Sequence, residues 1–225
     1  MSVKILEFKK MDEKTKEQVH KDLKKVFASV CQNTIELEYF NEIFFEETDF
    51  IYLSYAQYKD KLGSLKGFAL VQKKPTYFYI SIICSNKKPM VTRANPEVVY
   101  GAELVETIKK HAKSIRKMKS VKLDALPHVI TFYKMKLGFE IDGDNKVQRN
   151  KAAEDFFNEL RKTKKYKGAN FESLIDDYKV ARKPGTDPLF RPFSIMILGK
   201  VRRNKKEFAK LDEHGLPMVF KLKNL

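Results

Sequence analysis

The sequence predicts an α+β fold, with a mostly antiparallel sheet flanked by helices. Three observations carry this. Apolar residues recur at three- and four-residue steps in two long stretches, one opening at Asp12 and one running from Tyr100 to Lys117. Between them lie two strong strand-like runs, Leu65–Gln72 and Tyr77–Cys84. The link between these runs, Lys73-Lys74-Pro75-Thr76, is short, polar and proline-bearing, which reads as a hairpin. After Tyr100, helix and strand signals then alternate.

Each element follows in order. Residues 3–9 alternate imperfectly and read as a first strand. Asp12 suits a helix N-cap, and Val19, Leu23, Val26, Phe27 and Val30 form the inward stripe behind it. Residues 34–47 are acidic and aromatic, with Leu37, Phe40, Ile43 and Phe44 as a short helical stripe. Asp49–Gln57 reads as a strand, and residues 58–63 as a polar turn containing Gly63. Residues 85–99 carry Pro89 and Pro96 and read as loop. The helix from Tyr100 places Leu104, Val105, Ile108, Ala112 and Ile115 on one face. Ser120–Ala125 is a strand, Pro127 opens a short helix, Gly138 closes it, and Phe139-Glu140-Ile141 begins another strand. Beyond it, Ala152–Thr163 and a segment capped by Asn170 read as helices. Phe193–Val201 reads as a strand, Asn204–Leu211 as a short helix and Pro217–Lys223 as a final strand.

A chain of 225 residues suffices for one well-buried domain, or for one domain with a large insertion, with two small domains as the less favoured alternative. No apolar run approaches the roughly 20 residues that span a bilayer, and the first residues lack a signal-peptide pattern. An intracellular, cytoplasmic protein is expected. Cys31 and Cys84 each sit among apolar residues, without Cys-x-x-Cys spacing; two buried free thiols are expected rather than a disulfide framework or zinc site. The histidines, His20, His111, His128 and His214, have no metal-ligand spacing.

The net charge of +16 is unevenly spread: −3 over residues 1–60, +10 over 61–120, +1 over 121–150 and +8 over 151–225. The basic blocks would attract phosphates, on a cofactor or on nucleic acid, unless they are simply solvated lysine faces. Lys162, Lys164 and Lys165 lie beside Tyr166, and Arg202 and Arg203 are followed by Phe208, a combination compatible with nucleic acid.

Gly67-Phe68-Ala69-Leu70, the strand Tyr77–Cys84, the helix opening at Gly101-Ala102-Glu103-Leu104-Val105, and above all Phe132-Tyr133-Lys134-Met135-Lys136-Leu137-Gly138-Phe139 resemble the GNAT superfamily of acetyl-CoA-dependent N-acetyltransferases. The resemblance covers about residues 3–141 and the last strand. It implies a mixed, mostly antiparallel central sheet in a domain from residues 1–144 and about 216–225, interrupted by a helical insertion at 145–215 before the last strand. The lysine-rich texture is also similar to acetyltransferase-like proteins of giant DNA viruses of eukaryotes.

The resemblance implies acetyl-CoA as cosubstrate and a primary amine as acceptor: a lysine side chain, an N-terminus or a polyamine. Its pyrophosphate motif, aligned on Leu104, puts Gly101 at the last small position, Val99 where the first glycine would stand, and Pro96 where the basic residue would stand. Arg93, Lys87 and Lys88 would compensate as phosphate contacts. The implied cofactor-binding set is Ile83, Cys84, Ser85, Arg93, Val99, Tyr100, Gly101 and Ala102. Tyr133 falls at the position of the family's acid, a phenol that stays neutral near pH 7 and protonates a leaving thiolate. The family's Asn before this helix is Leu126 here. The acidic segment 31–60, net −6, would suit a cationic acceptor; Glu42 and Glu46 are its candidate carboxylates, sharing one face if the segment is helical. The alternative is a catalytically inactive protein of the same fold, serving as a basic nucleic-acid-binding or virion protein.

Overall fold

The computed structural model describes residues 2–31, 35–58, 61–85, 100–125, 133–134, 137–144, 147–149, 151, 155 and 215–222. The expected elements at 126–132, 152–163, 170–178, 193–201 and 204–211 lie outside these residues, apart from Asp155, as do Arg93 and Val99. The described strands form one seven-stranded sheet, in the order β1 (Ser2–Glu7), β2 (Phe50–Tyr58), β3 (Lys61–Lys73), β4 (Tyr77–Ser85), β5 (Ser120–Ala125), β7 (Leu216–Lys221), β6 (Glu140–Ile141), and the fold is mixed α+β with helices flanking the sheet. Every strand pairing with a described register is antiparallel. The chain divides into two compact units, Met1–Val121 with Lys221–Leu225, and Lys122–Phe220.

In the first unit, β1 (Ser2–Glu7) leads through a tight 3-10 turn into α1 (Glu13–Val30). Asp12 caps that helix as its sequence requires: one carboxylate oxygen accepts from the Thr15 amide at 2.8 Å, the other from the Thr15 hydroxyl at 2.7 Å. The short helix α2 (Leu37–Glu42) runs straight into a π-helical turn, Ile43–Glu47. The buried Thr48 hydroxyl donates to the Ile43 carbonyl at 2.8 Å and closes that wide turn.

β2 (Phe50–Tyr58), β3 (Lys61–Lys73) and β4 (Tyr77–Ser85) then pair in succession. The polar turn expected at 58–63 is narrower than its composition suggests. Pairing continues to Tyr58–Lys61, and Gly63 lies inside β3, where an added Cβ would stand 2.7 Å from the Ala56 carbonyl oxygen.

Side-chain alternation splits this sheet into two packed faces. Ile51, Leu53, Phe68, Leu70, Ile82 and Cys84 face the α1 side. There they join Leu23, Val26, Phe27, Phe40, Ile43 and Phe44 in one core cluster. Phe27 and Phe40 stack with centroids 4.6 Å apart. The opposite face packs on α3 (Tyr100–Ser114), whose Leu104, Val105, Ile108 and Ala112 are fully buried. α3 ends one turn before the expected Lys117, where the Ser114 hydroxyl turns back onto the His111 carbonyl at 2.7 Å.

One expectation is overturned. Cys31 and Cys84 are not free thiols but a disulfide, joining the C-terminal cap of α1 to β4. Their shared apolar setting is the reason: both side chains point into the same core cluster from opposite layers, with Cα atoms 6.0 Å apart.

In the second unit, β6 (Glu140–Ile141) pairs with β7 (Leu216–Lys221) through Glu140–Val219 and Ile141–Met218. β5 (Ser120–Ala125) crosses the boundary between the units. Within the second unit Leu123, Ala125, Tyr133, Leu137, Phe139, Ile141, Leu216, Met218 and Val219 are buried. Gly138 sits in the left-handed region at φ 67°, and its amide closes on the Lys134 carbonyl at 3.2 Å, ending the helix as its sequence position demands. Lys122 and Asp142 pair at 2.8 Å.

Reducing the Cys31–Cys84 bridge, which closes a 53-residue separation, should lower unfolding free energy by about 4 kcal/mol through the freed unfolded chain. Urea unfolding with and without dithiothreitol measures it; coincident curves would refute the bridge.

Candidate functional site

The strongest local constellation in the first unit lies at one end of the β2–β3–β4 sheet. Ser54, Gly67 and Ser85 are register partners across three strands. They share the face on which α3 packs. Ser54 Oγ donates to Glu103 Oε2 at 3.3 Å, which ties β2 to the first turn of α3. An added Cβ on Gly101 would stand 3.0 Å from Ser85 Oγ, so the same turn also touches the end of β4. Gly67, between the two serines, has no room for a Cβ either; one would meet the Cys84 carbonyl oxygen at 2.8 Å. Small residues therefore let the helix start close over three strand ends.

The sequence-derived cofactor residues divide accordingly. Ser85 and Gly101 meet directly, and Ile83 and Ala102 are half-buried in the same neighbourhood by register and helix position. Tyr100 opens α3. Cys84 points the other way, into the α1 core, where it is bonded to Cys31; its side chain is therefore separated from the α3 face by the thickness of the strand. Only its backbone remains on the cofactor side. Glu103 places a carboxylate in the first helical turn, which opposes an anion there.

A second feature lies on the α1 side of the sheet. A groove of about 330 Å³ is lined by Tyr39, Glu42, Ile43, Glu47, Gln72, Lys74, Tyr77 and Tyr79. Glu42 and Glu46 were the sequence candidates at i and i+4. The structure puts Glu42 in this groove with Glu47 instead, while Glu46 is exposed and not part of the lining. Glu47 ends the π turn, and its bond from Gln72 holds it in the groove. Gln72 on β3 is buried, and its amide nitrogen donates both to Glu47 Oε2 and to Ser81 Oγ, the latter at 2.9 Å. Ser81 is the residue that β4 inserts without a partner: Leu70 pairs with Ile82 and Val71 with Ile80, so a β-bulge falls at Ser81.

Sequence reading also missed the contact between Tyr52 and His111. The buried phenol lies 2.6 Å from His111 Nδ1, and the imidazole is ringed by Phe50 and Phe78 at 4.9 and 5.4 Å. Burial holds the imidazole pKa below its usual value; the nearby Glu7 carboxylate works against that shift and Lys73 adds to it. Burial also pushes the Tyr52 phenol upward. The clue was available in the period-two row Phe50, Tyr52, Ser54, which faces α3. In the second unit, Tyr133 is buried, packs edge-on to Phe139 at 5.6 Å, and has its phenol pKa raised by desolvation. Among the described residues no cluster of His, Cys, Asp and Glu could hold a metal ion, and no helix is long and apolar enough to cross a membrane.

The described elements define a mixed α+β architecture with helices packed on its sheet. No family model matches the sequence, and no curated protein matches it. Solved structures do. Tetrahymena GCN5 is similar over 99% of this chain and 97% of that one, at 12% identity and a TM-score of 0.50. Escherichia coli ElaA is similar over 64% of this chain and 90% of that one, at 15% identity and a TM-score of 0.45. Arabidopsis thaliana Naa50, in complex with a bisubstrate analogue, is similar over 64% and 86%, at 18% identity and a TM-score of 0.38. The chain has the GNAT-superfamily fold.

Because the folded His111 binds its proton more weakly than the unfolded one, its contribution is complete above the unfolded pKa of about 6.5 and fades as pH falls through that value. Unfolding midpoints should therefore drop between about pH 7 and 5, and His111→Gln should flatten that slope. An unchanged slope in the variant would exclude His111 as its source.

Proposed function

We propose that this chain is an N-acetyltransferase, moving acetyl from acetyl-CoA to a primary amine. The observation that carries the reading is the junction of β4 and α3 at Ser85 and Gly101, in a chain with this fold. The residues present fit the donor at the start of α3, which Gly67 and Gly101 let close over the strand ends and which offers helix-terminal amides for a phosphate. Tyr100, Gly101 and Ala102 would face the pyrophosphate, with Arg93 and Val99 from the preceding segment and Arg93 supplying positive charge. Ile83 and Ser85, with the Cys84 backbone, would line the pantetheine arm. Glu103 is a local cost, offset by the +10 carried on residues 61–120.

The donor, once bound, supplies an activated acyl carbon. The β4 backbone would hold the thioester oxygen by an amide N–H, which strengthens as that oxygen gains charge. Tyr133 would supply the proton for the departing sulfur; its raised pKa keeps the phenol protonated at neutral pH, as that role requires. Glu42 and Glu46 belong to the segment that would border the acceptor, Glu42 within the groove. Residues 145–215 are read as an insertion into the acetyltransferase domain, and the whole as an intracellular, cytoplasmic protein.

Calorimetry with acetyl-CoA should show saturable binding below millimolar concentration, and absence of binding would end the enzyme reading. Replacing Tyr133 with Phe should lower kcat by about 10²-fold or more while leaving acetyl-CoA affinity nearly intact; unchanged turnover would remove its assigned role.

The net charge of +16 favours a second reading, an inactive member of this fold that binds nucleic acid through Lys162, Lys164, Lys165, Arg202 and Arg203. Binding to a single-stranded oligonucleotide should then weaken steeply between 50 and 200 mM salt, on the order of 10²-fold or more. Salt-insensitive or absent binding rules this reading out.

A further inference from the structure

Glu47 is an exposed residue at the end of a π turn, yet its carboxylate does not hang free. It accepts from the amide nitrogen of Gln72, a side chain with only 4% of its surface exposed. Gln72 spends its second donor on Ser81 Oγ at 2.9 Å. A glutamine nitrogen has two hydrogens, so this buried amide is fully committed as a donor. The result is a chain of side chains running Glu47–Gln72–Ser81. One end opens into the groove, and the other stops at the bulge of β4.

The two ends matter separately. At the bulge, the β4 backbone leaves its regular ladder with β3. Four residues further on, roughly 13 Å along an extended strand, lies Ser85 and the α3 junction. At the groove end, Glu47 is surrounded by Glu42 and Lys74, the charged groups of the lining, and by Tyr39, Tyr77 and Tyr79. The neighbouring charges nearly cancel, so the number of carboxylates does not single out Glu47. Its fixed orientation does. Three aromatic rings beside one held carboxylate form a setting for a cation that also carries an apolar stem.

We propose that Glu47, positioned by Gln72 and Ser81, is the carboxylate that receives the ammonium of a primary-amine acceptor in this groove; the inference rests on the acetyl-transfer reading above and names the acceptor-binding group within it. Gln72 is a positioning residue, because it acts through Glu47. Glu47 takes one proton from R–NH3+, leaving the neutral amine, and releases that proton to solvent at the groove mouth. The amine nitrogen then bonds to the carbonyl carbon of acetyl-CoA as the carbon–sulfur bond breaks. The second proton lost by nitrogen ends on sulfur, giving the amide and the free thiol. No oxidant or further reactant is needed.

The test uses the full chain with coenzyme A present, which blocks turnover, and two defined probes: 1,4-diaminobutane and a lysine blocked at both backbone ends. Butyramide serves as the neutral control. At least one cationic probe should bind, and butyramide should not. Glu47→Gln should weaken the cationic probe roughly tenfold or more and leave coenzyme A affinity within about twofold, the scatter expected where no contact is lost. Glu42→Gln should weaken the probe less. Gln72→Met and Ser81→Ala, assayed with acetyl-CoA, should raise KM for the amine more than they lower kcat, and should move the acidic limb of the pH profile; a purely structural role for Gln72 would move neither. If coenzyme A itself fails to bind, the acetyl-transfer reading falls and this inference with it. If coenzyme A binds but neither cationic probe does, or Glu47→Gln matches the wild type, or Glu42→Gln has the larger effect, this inference alone is overturned.

Discussion

The pairing of β3 with β4 is the constraint on which the first unit depends. These strands are packed on both faces, so each successive residue has a fixed partner layer. Phe68, Leu70, Ile82 and Cys84 complete the core under α1 and α2, while Gly67, Ala69, Ile83 and Ser85 take the side of α3. A slip of one residue would exchange these sets and put phenylalanine where the helix start now touches glycine and serine. Register is thereby tied to the chemistry of both faces. The bulge at Ser81 is the single break in the pairing, and it falls where the groove side chains reach the strand.

Much of the architecture was legible because it rests on short-range signals. The Asp12 cap needs only a carboxylate three residues before an amide. The hairpin needs two alternating runs and a polar link. Gly138 needs only the left-handed conformation that a helix end imposes. These expectations survive because no tertiary term competes with them. The candidate site was less legible because it depends on where side chains from distant segments meet. Gly101 and Ser85 were readable through family resemblance; their contact was not, since it is made across a segment of fourteen or so residues. The disulfide was missed for a similar reason. An apolar setting is common to buried thiols and buried bridges, and only the layer geometry of α1 over β4 separates them. Glu47 escaped because an i, i+4 rule pointed to Glu46, while the bond that holds Glu47 comes from Gln72 on a distant strand.

Two buried tyrosines with raised pKa values, Tyr52 and Tyr133, also show why residue type alone does not assign a role. Tyr52 and Tyr133 are both buried, and desolvation moves both in the same direction. Tyr52 is partnered by His111 within a ring of phenylalanines, and leaving a buried hydroxyl unpaired would cost about 1–3 kcal/mol. That accounts for the pair as packing and hydrogen-bond satisfaction, without a reaction. The case for Tyr133 rests on its place in the Phe-Tyr to Leu-Gly-Phe string and on a phenol held neutral, so it belongs with the proposal rather than with the geometry.

The π turn at Ile43–Glu47 has a consequence for how this region tolerates change. Its wide repeat depends on one residue more per turn than an α-helix would hold. Removing any single residue between Glu42 and Glu47 would retain both carboxylates and almost the whole composition. It would nevertheless rotate one of them by about a quarter turn around the helix axis, away from Gln72. Chain length in this stretch is therefore under constraint beside the buried Ile43 and Phe44: a substitution at the exposed Phe45 or Glu46 leaves the spacing of the two carboxylates intact, while a one-residue deletion changes it.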